Sequence, residues 1–148
     1  MSREFYGVSS LALIGVATVL AAAAMFHASW VLGAAYIVIC VAAPYALVRA
    51  FCAKCTCKAH CGHVFPGRAA QRVARPPAPY TPTELAILGA AMVALIGLPQ
   101  VWLWQLPGLF AAYWVLTAVA LVEIRLVMCR RCDNVFCPLR NQAAHRAG

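Results

Sequence analysis

The chain has 148 residues, 64% of them hydrophobic and only 11% charged, with a mean hydropathy of +0.80. A soluble domain is about half apolar and a quarter charged, so a water-facing globule is excluded, as are intrinsic disorder and a disulfide-dense secreted scaffold. The formal charge of +8 sits in loops and chain ends, where membrane topology accounts for it without nucleic acid.

Phe5 to Val48 contain no Asp, Glu, Lys or Arg, and neither do Leu85 to Val122. A membrane crossing takes about 20 apolar residues, so each stretch fits two spans and a tight turn. Helix 1 is expected over about Tyr6–Met25, a turn over Phe26–Ser29, and helix 2 over about Trp30–Ala50. The first apolar segment lacks a basic n-region and runs into a second helix, so it is expected to be retained rather than cleaved as a signal peptide. A loop follows from about Phe51 to Thr81. Within it, Arg68 to Arg75 reads as a short interfacial helix, and Pro76-Pro77-Ala78-Pro79 as an extended spacer.

Helix 3 is expected over about Pro82–Trp102. Thr81 supplies a cap, Pro82 the first turn, and Glu84 stands three residues after the cap. Gln105, Pro107 and Gly108 mark the next turn, and helix 4 is expected over about Leu109–Met128. Trp30, Trp102 and Trp104 lie near the two hairpin turns, where amphipathic rings favour the interface. Ala86, Ala90 and Ala94 recur every four residues, as do Gly89, Val93 and Gly97. Such stripes let helices approach closely in lipid.

All 12 Lys and Arg fall at Arg3, between Arg49 and Arg75, or between Arg125 and Arg146, and the hairpin turns carry none. Positive segments stay inside. Both termini and the central loop are therefore expected on the cytoplasmic side of the cell inner membrane, in contact with its anionic leaflet.

The second half repeats the first. Shifted by 77 residues, Leu32, Ala34, Ala35, Tyr36, Val38, Ala43, Cys52 and Cys55 fall on Leu109, Ala111, Ala112, Tyr113, Val115, Ala120, Cys129 and Cys132. A shift of 74 aligns Leu11 to Gly15 with Leu85 to Gly89. The expected architecture is thus an all-α integral membrane protein of four spans, built as two tandem two-helix repeats, each followed by a cytoplasmic Cys-rich metal knuckle. Residues 1–63 form the first repeat, 64–81 a basic, Pro-rich linker, and 82–148 the second repeat with a basic tail.

Seven of the eight cysteines lie at this expected cytoplasmic face: Cys52, Cys55, Cys57 and Cys61 in the first group, Cys129, Cys132 and Cys137 in the second. His60 and His63 share the first loop, and His145 lies in the tail. Reduced cytosolic thiols clustered as two Cys-x-x-Cys pairs point to metal, and zinc is the expected ion, with an iron–sulfur cluster as the alternative. Either Cys52, Cys55, Cys129 and Cys132 form one four-thiolate site that staples the halves, or each half builds its own. Lys54, Lys58, Arg130 and Arg131 flank the thiols and are expected to favour the thiolate form. The similar segments His63-Val64-Phe65-Pro66-Gly67 and Asn134-Val135-Phe136-Cys137-Pro138 are expected to pack on one another as a lid.

Within the spans, Cys40 precedes Pro44 by four residues and is either a small core residue or a station for a soft ion. Glu123 is the acid deepest in a helix; it is expected to pair with Arg125 or Arg49, to snorkel, or to support the metal site from behind. No nucleophile elbow, phosphate loop or His-Glu metalloprotease motif occurs, so catalysis is not expected. The leading expectation is a membrane subunit whose metal knuckles fix the bundle and dock a protein partner or a second copy. Soft heavy-metal transport and iron–sulfur electron transfer within an oxidoreductase complex are the alternatives.

Overall fold

The computed structural model describes residues 3–57, 61–73, 75–132, 134 and 136–137. Among these, all regular structure is helical: α1 (Arg3–Ala28), α2 (Trp30–Ala50), α3 (Val64–Arg72), α4 (Pro82–Met92), α5 (Gln100–Leu103) and α6 (Pro107–Glu123). α4 continues as a π-helix over Val93–Gly97, and α6 continues as one over Ile124–Met128. Four segments are long and apolar enough to cross a membrane: Glu4–Ala28, Trp30–Lys54, Pro82–Leu103 and Pro107–Met128.

The helix boundaries differ from the expected ones in informative ways. α1 runs on through Phe26 to Ala28, leaving Ser29, in extended conformation, as the turn. So sharp a reversal requires close approach at Gly33, where a Cβ would fall on the Phe26 ring. In the second hairpin, Pro107 and Gly108 belong to α6 rather than to the turn. Proline suits the first helical position because its missing N–H would have no partner there anyway. The basic stretch of the central loop is helical, but the helix starts at Val64 and ends at Arg72.

α1 is the centre of the bundle. It packs on both α2 and α6, and α2 packs in turn on α4. Ser10, Ala17, Ala21, Ala24 and Met25 of α1 are buried, at the three- and four-residue spacing that keeps side chains on one helix face. Alanine on that face lets backbones come close, and the attraction is the sum of many small dispersion contacts. The core at the hairpin end joins these alanines to Tyr36, Leu103 and Tyr113, with Cys40 and Trp102 packed at its margin. Trp30 and Trp104 remain exposed at the same end.

Positions related by the 77-residue shift have similar surroundings. Tyr36 and Tyr113 are both buried, as are Ala43 and Ala120. Tyr36 shares a side-chain hydrogen bond with Cys40, and Tyr113 shares one with Thr117, each one turn further on. Cys52–Lys54 and Cys129–Arg131 each form a 3-10 turn.

Candidate metal centre

Each Cys-x-x-Cys directly follows a helix long and apolar enough to cross a membrane, and closes on itself. Cys55 N donates to Cys52 O at 3.1 Å, and Cys132 N donates to Cys129 O at 3.3 Å. The π turn before Cys129, in which Cys129 N reaches back to Ile124 O, swings the second motif into place. Such insertions re-aim the residues that follow them and recur at functional sites; no sequence signal marked this one.

The two motifs meet at one end of the bundle. Cys52, Cys55, Cys61, Cys129, Cys132 and Cys137, with His63, line a single cavity of about 200 Å³. Its remaining walls include Phe51, Ile124 and Met128. Cys132 Sγ lies 3.9 Å from Cys57 Sγ, across the two halves, and Cys132 is also hydrogen-bonded to Cys55. Among the described residues, no three Cys, His, Asp or Glu side chains converge tightly enough to hold a metal ion as they stand. Of the expected ligands, His60 lies outside the described residues, as do Lys58, Val135, Pro138 and His145.

His63 is held by α1. Its Nδ1 lies 3.2 Å from Gly7 O. A carbonyl only accepts, so Nδ1 carries the proton and Nε2 the lone pair. Gly7 has no room for a side chain, since a Cβ there would fall on the Gly62 carbonyl. The loop after Cys61 is thus seated backbone to backbone on α1.

Tyr80 and Glu84, which the sequence did not single out for the site, and Asn134, which it placed in the lid segment, hold the surroundings of the thiols in place. The Tyr80 ring stacks on Phe51 with centroids 4.3 Å apart and planes 8° from parallel. Tyr80 Oη donates to Phe51 O at 3.2 Å and accepts from Asn134 Nδ2 at 3.1 Å. Asn134, fully enclosed, also accepts from Phe136 N at 3.2 Å. A chain of hydrogen bonds therefore runs from the loop after Cys132 to the residue before Cys52. Burial pushes the Tyr80 phenol up to about 12, against the opposing hydrogen bond with Asn134. The third residue is Glu84, which does more than complete the capping box with Thr81. Its carboxylate takes Lys54 Nζ at 2.7 Å and Arg75 Nη1 at 3.4 Å.

Two expectations are not met among the described residues; Lys58 and the side chain of Arg131 lie outside them. Lys54 is spent on Glu84, not on a thiolate, and Arg130 points to solvent. The hydrogen bond with Cys132, reinforced by burial, holds the Cys55 thiol well above its ordinary range. Burial, then Cys137 and Cys132, raises Cys129, and Arg125 only partly offsets this. Desolvation outweighs nearby positive charge. Among the described residues of the two Val-Phe segments, Phe65 and Phe136 are both exposed and not buried against one another; Phe51 and Asn134 line the cavity, with Tyr80 stacked on Phe51.

Glu123 makes no ion pair with Arg125 or Arg49. Its Oε1 accepts from Ser9 Oγ of α1 at 3.2 Å, while Oε2 is buried without a partner among the described residues. Arg49 instead lies over the Tyr45 ring and donates to its hydroxyl at 2.9 Å. Cys40 sits beside the hairpin-end core and does not line the thiol cavity. No family model, curated protein or solved structure matches the chain.

Proposed function

We propose that the chain is a membrane protein with a thiolate metal centre, of zinc or an iron–sulfur cluster, on its cytoplasmic face. The centre joins two duplicated helix-pair units, and the assembled face docks a protein partner or a second copy. One observation carries the reading: six cysteines from motifs 77 residues apart line one cavity.

The chemistry of the donors supports it further. Two thiolates on one tetrahedral zinc ion, each at ~2.3 Å, stand ~3.8 Å apart. The Cys57–Cys132 separation of 3.9 Å already matches that edge. His63, with Nδ1 donating to a backbone carbonyl, has the tautomer and the anchoring that ligating histidines use. The Tyr80–Asn134 bridge supplies the kind of outer support that keeps ligands in place. The positive segments beside the thiols favour the cytoplasm, where thiols stay reduced and available to metal.

The test is metal retention. Protein purified anaerobically in mild detergent should carry zinc or iron through gel filtration, and its Cys52, Cys55, Cys129 and Cys132 thiols should resist alkylation until a chelator is added. Metal-free protein with all of these thiols equally alkylated at once would refute the reading.

A further inference from the structure

We propose that Cys57 and Cys132 are a redox-active dithiol, which exchanges with a low-molecular-weight disulfide and closes into a reversible disulfide across the two halves. The inference goes beyond the metal reading and needs no metal. Cys132 donates to Cys57 Sγ at 3.9 Å, between residues 75 positions apart. A disulfide brings its sulfurs to ~2.05 Å, so about 2 Å of travel separates this contact from a bond. Neither residue is held inside a helix. Cys57 lies in a turn, and Cys132 follows its 3-10 turn in extended conformation. Side-chain rotation there meets no helical restraint.

Cys57 differs from the other cysteines at this end of the bundle. Cys52, Cys55, Cys61, Cys129, Cys132 and Cys137 line the cavity, and Cys57 does not. It is half-buried beside the exposed Thr56, so a reagent in water meets it from outside the cavity. Cys55 is also hydrogen-bonded to Cys132, but it lines the cavity, which leaves Cys57 as the outer partner. Thr56 Oγ1 lies 3.6 Å from Cys57 Sγ. That hydroxyl and the Cys132 thiol can both donate to the sulfur and stabilise the charge it carries as it attacks.

The exchange balances without a further reactant. The Cys57 sulfur attacks one sulfur of the small disulfide, and one small thiolate leaves and takes up the Cys57 proton. The Cys132 sulfur then attacks the Cys57 sulfur, and the second small thiolate leaves and takes up the Cys132 proton. Two protein thiols are oxidised and one disulfide is reduced to two thiols. In the cytoplasm such bonds are transient and serve redox sensing. Here the bond would clamp the loop after α2 to the turn that ends the second Cys-x-x-Cys.

Oxidised glutathione is the probe. The full chain, reduced, chelator-treated and held anaerobically in mild detergent, is equilibrated with it, blocked with N-ethylmaleimide and digested with trypsin. The expected product joins peptide 55–58 to peptide 132–140, comes from chains that run as monomers on a non-reducing gel, and is lost on adding dithiothreitol. A Cys55→Ser/Cys137→Ser variant should keep the link, and Cys57→Ser should lose it. If Cys57→Ser loses its helical circular dichroism, Cys132→Ser serves in its place. A link that survives Cys57→Ser, a bond between Cys129 and Cys132 instead, or glutathione adducts with no internal bond would overturn the dithiol. None of these results bears on whether the thiols hold metal, since the chelator is present throughout.

Discussion

α1 and α4 hold the same place in their respective halves, as the first helix of a pair that leads to a Cys-x-x-Cys. α1 buries Ser10, Ala17, Ala21, Ala24 and Met25, whereas α4 buries only Glu84 and Ala91. α1 is wedged between α2 and α6, while the main packing partner of α4 is α2. Under the duplication, the α1–α6 contact corresponds to the α2–α4 contact. The α1–α2 contact has no equally close counterpart between α4 and α6. The two halves, related in sequence by the 77-residue shift, thus pack differently. The first supplies the spine of the bundle. The second supplies an outer helix tied down at its ends, by Glu84 at the cysteine end and by Leu95 O, which accepts from Tyr36 Oη at 2.8 Å.

The comparison is broken most severely at Gly7. A glycine-to-alanine change inside a helix ordinarily stabilises it by up to about 1 kcal/mol. At Gly7 the added methyl would fall on the Gly62 carbonyl, which is backbone and cannot step aside. We expect Gly7→Ala to lose about 2–3 kcal/mol, within the range for overpacked contacts. Thermal unfolding in detergent would read the loss, and faster maleimide labelling of Cys61 would localise it to the loop seated on α1. A neutral or stabilising result would mean that the loop does not rest there.

The bridge between the halves should come next. Tyr80→Phe removes the donor to Phe51 O and the acceptor for Asn134, and Asn134→Ala removes the other side of the link. Each should cost about 1 kcal/mol. Because the two residues act through one contact, the double variant should cost clearly less than the sum of the singles. Additive losses in a double-mutant cycle would separate the cover of the first motif from that of the second.

The two tyrosines related by the 77-residue shift sharpen the contrast within the apolar helices. Tyr36 Oη reaches across to Leu95 O in the π segment of α4. Tyr113 has its hydrogen bond with Thr117 on its own helix. Tyr36→Phe should therefore cost about 1 kcal/mol and loosen α4, seen as faster amide exchange over Ala94–Gly97. Tyr113→Phe should cost less and leave α4 unchanged. Equal effects would contradict the asymmetry between the halves.

Much of the architecture was legible in the sequence because membrane constraints are severe. Charge-free stretches mark the four helices long and apolar enough to cross a membrane, and α2 begins at Trp30 and ends at Ala50 as expected. The Thr81–Glu84 capping box forms as its spacing implied. The site was legible as a list of residues and not as a geometry. Six of the expected cysteines and His63 line one cavity, but which thiols are neighbours depends on how two distant loops meet. Nothing local encodes that the π turn at Ile124–Met128 shifts the second motif, or that a tyrosine after a Pro-rich spacer stacks on Phe51. Lys54 misled because adjacency in sequence suggested a thiolate partner. Glu84, thirty residues on, offered a carboxylate at 2.7 Å, and full negative charge outcompetes a protonated thiol.

The mildest prediction concerns the small-residue stripes themselves. Gly89 lies on α4, and no atom beyond the adjoining backbone of its own helix stands within 4 Å of where its Cβ would be; the same is true of Gly15, its counterpart on α1 under the 74-residue shift. Both positions face away from the packed core, so a methyl group meets no protein atom, and only backbone propensity changes. Gly15→Ala and Gly89→Ala should each be neutral or stabilising by up to about 1 kcal/mol in detergent-solubilised monomer. The opposite sign at Gly7, only eight residues from Gly15 on the same helix, makes the three substitutions one experiment. If Gly89→Ala destabilised the isolated chain as Gly7→Ala does, α4 would have to be packed more deeply than an edge helix. The difference between α1 and α4 would then disappear.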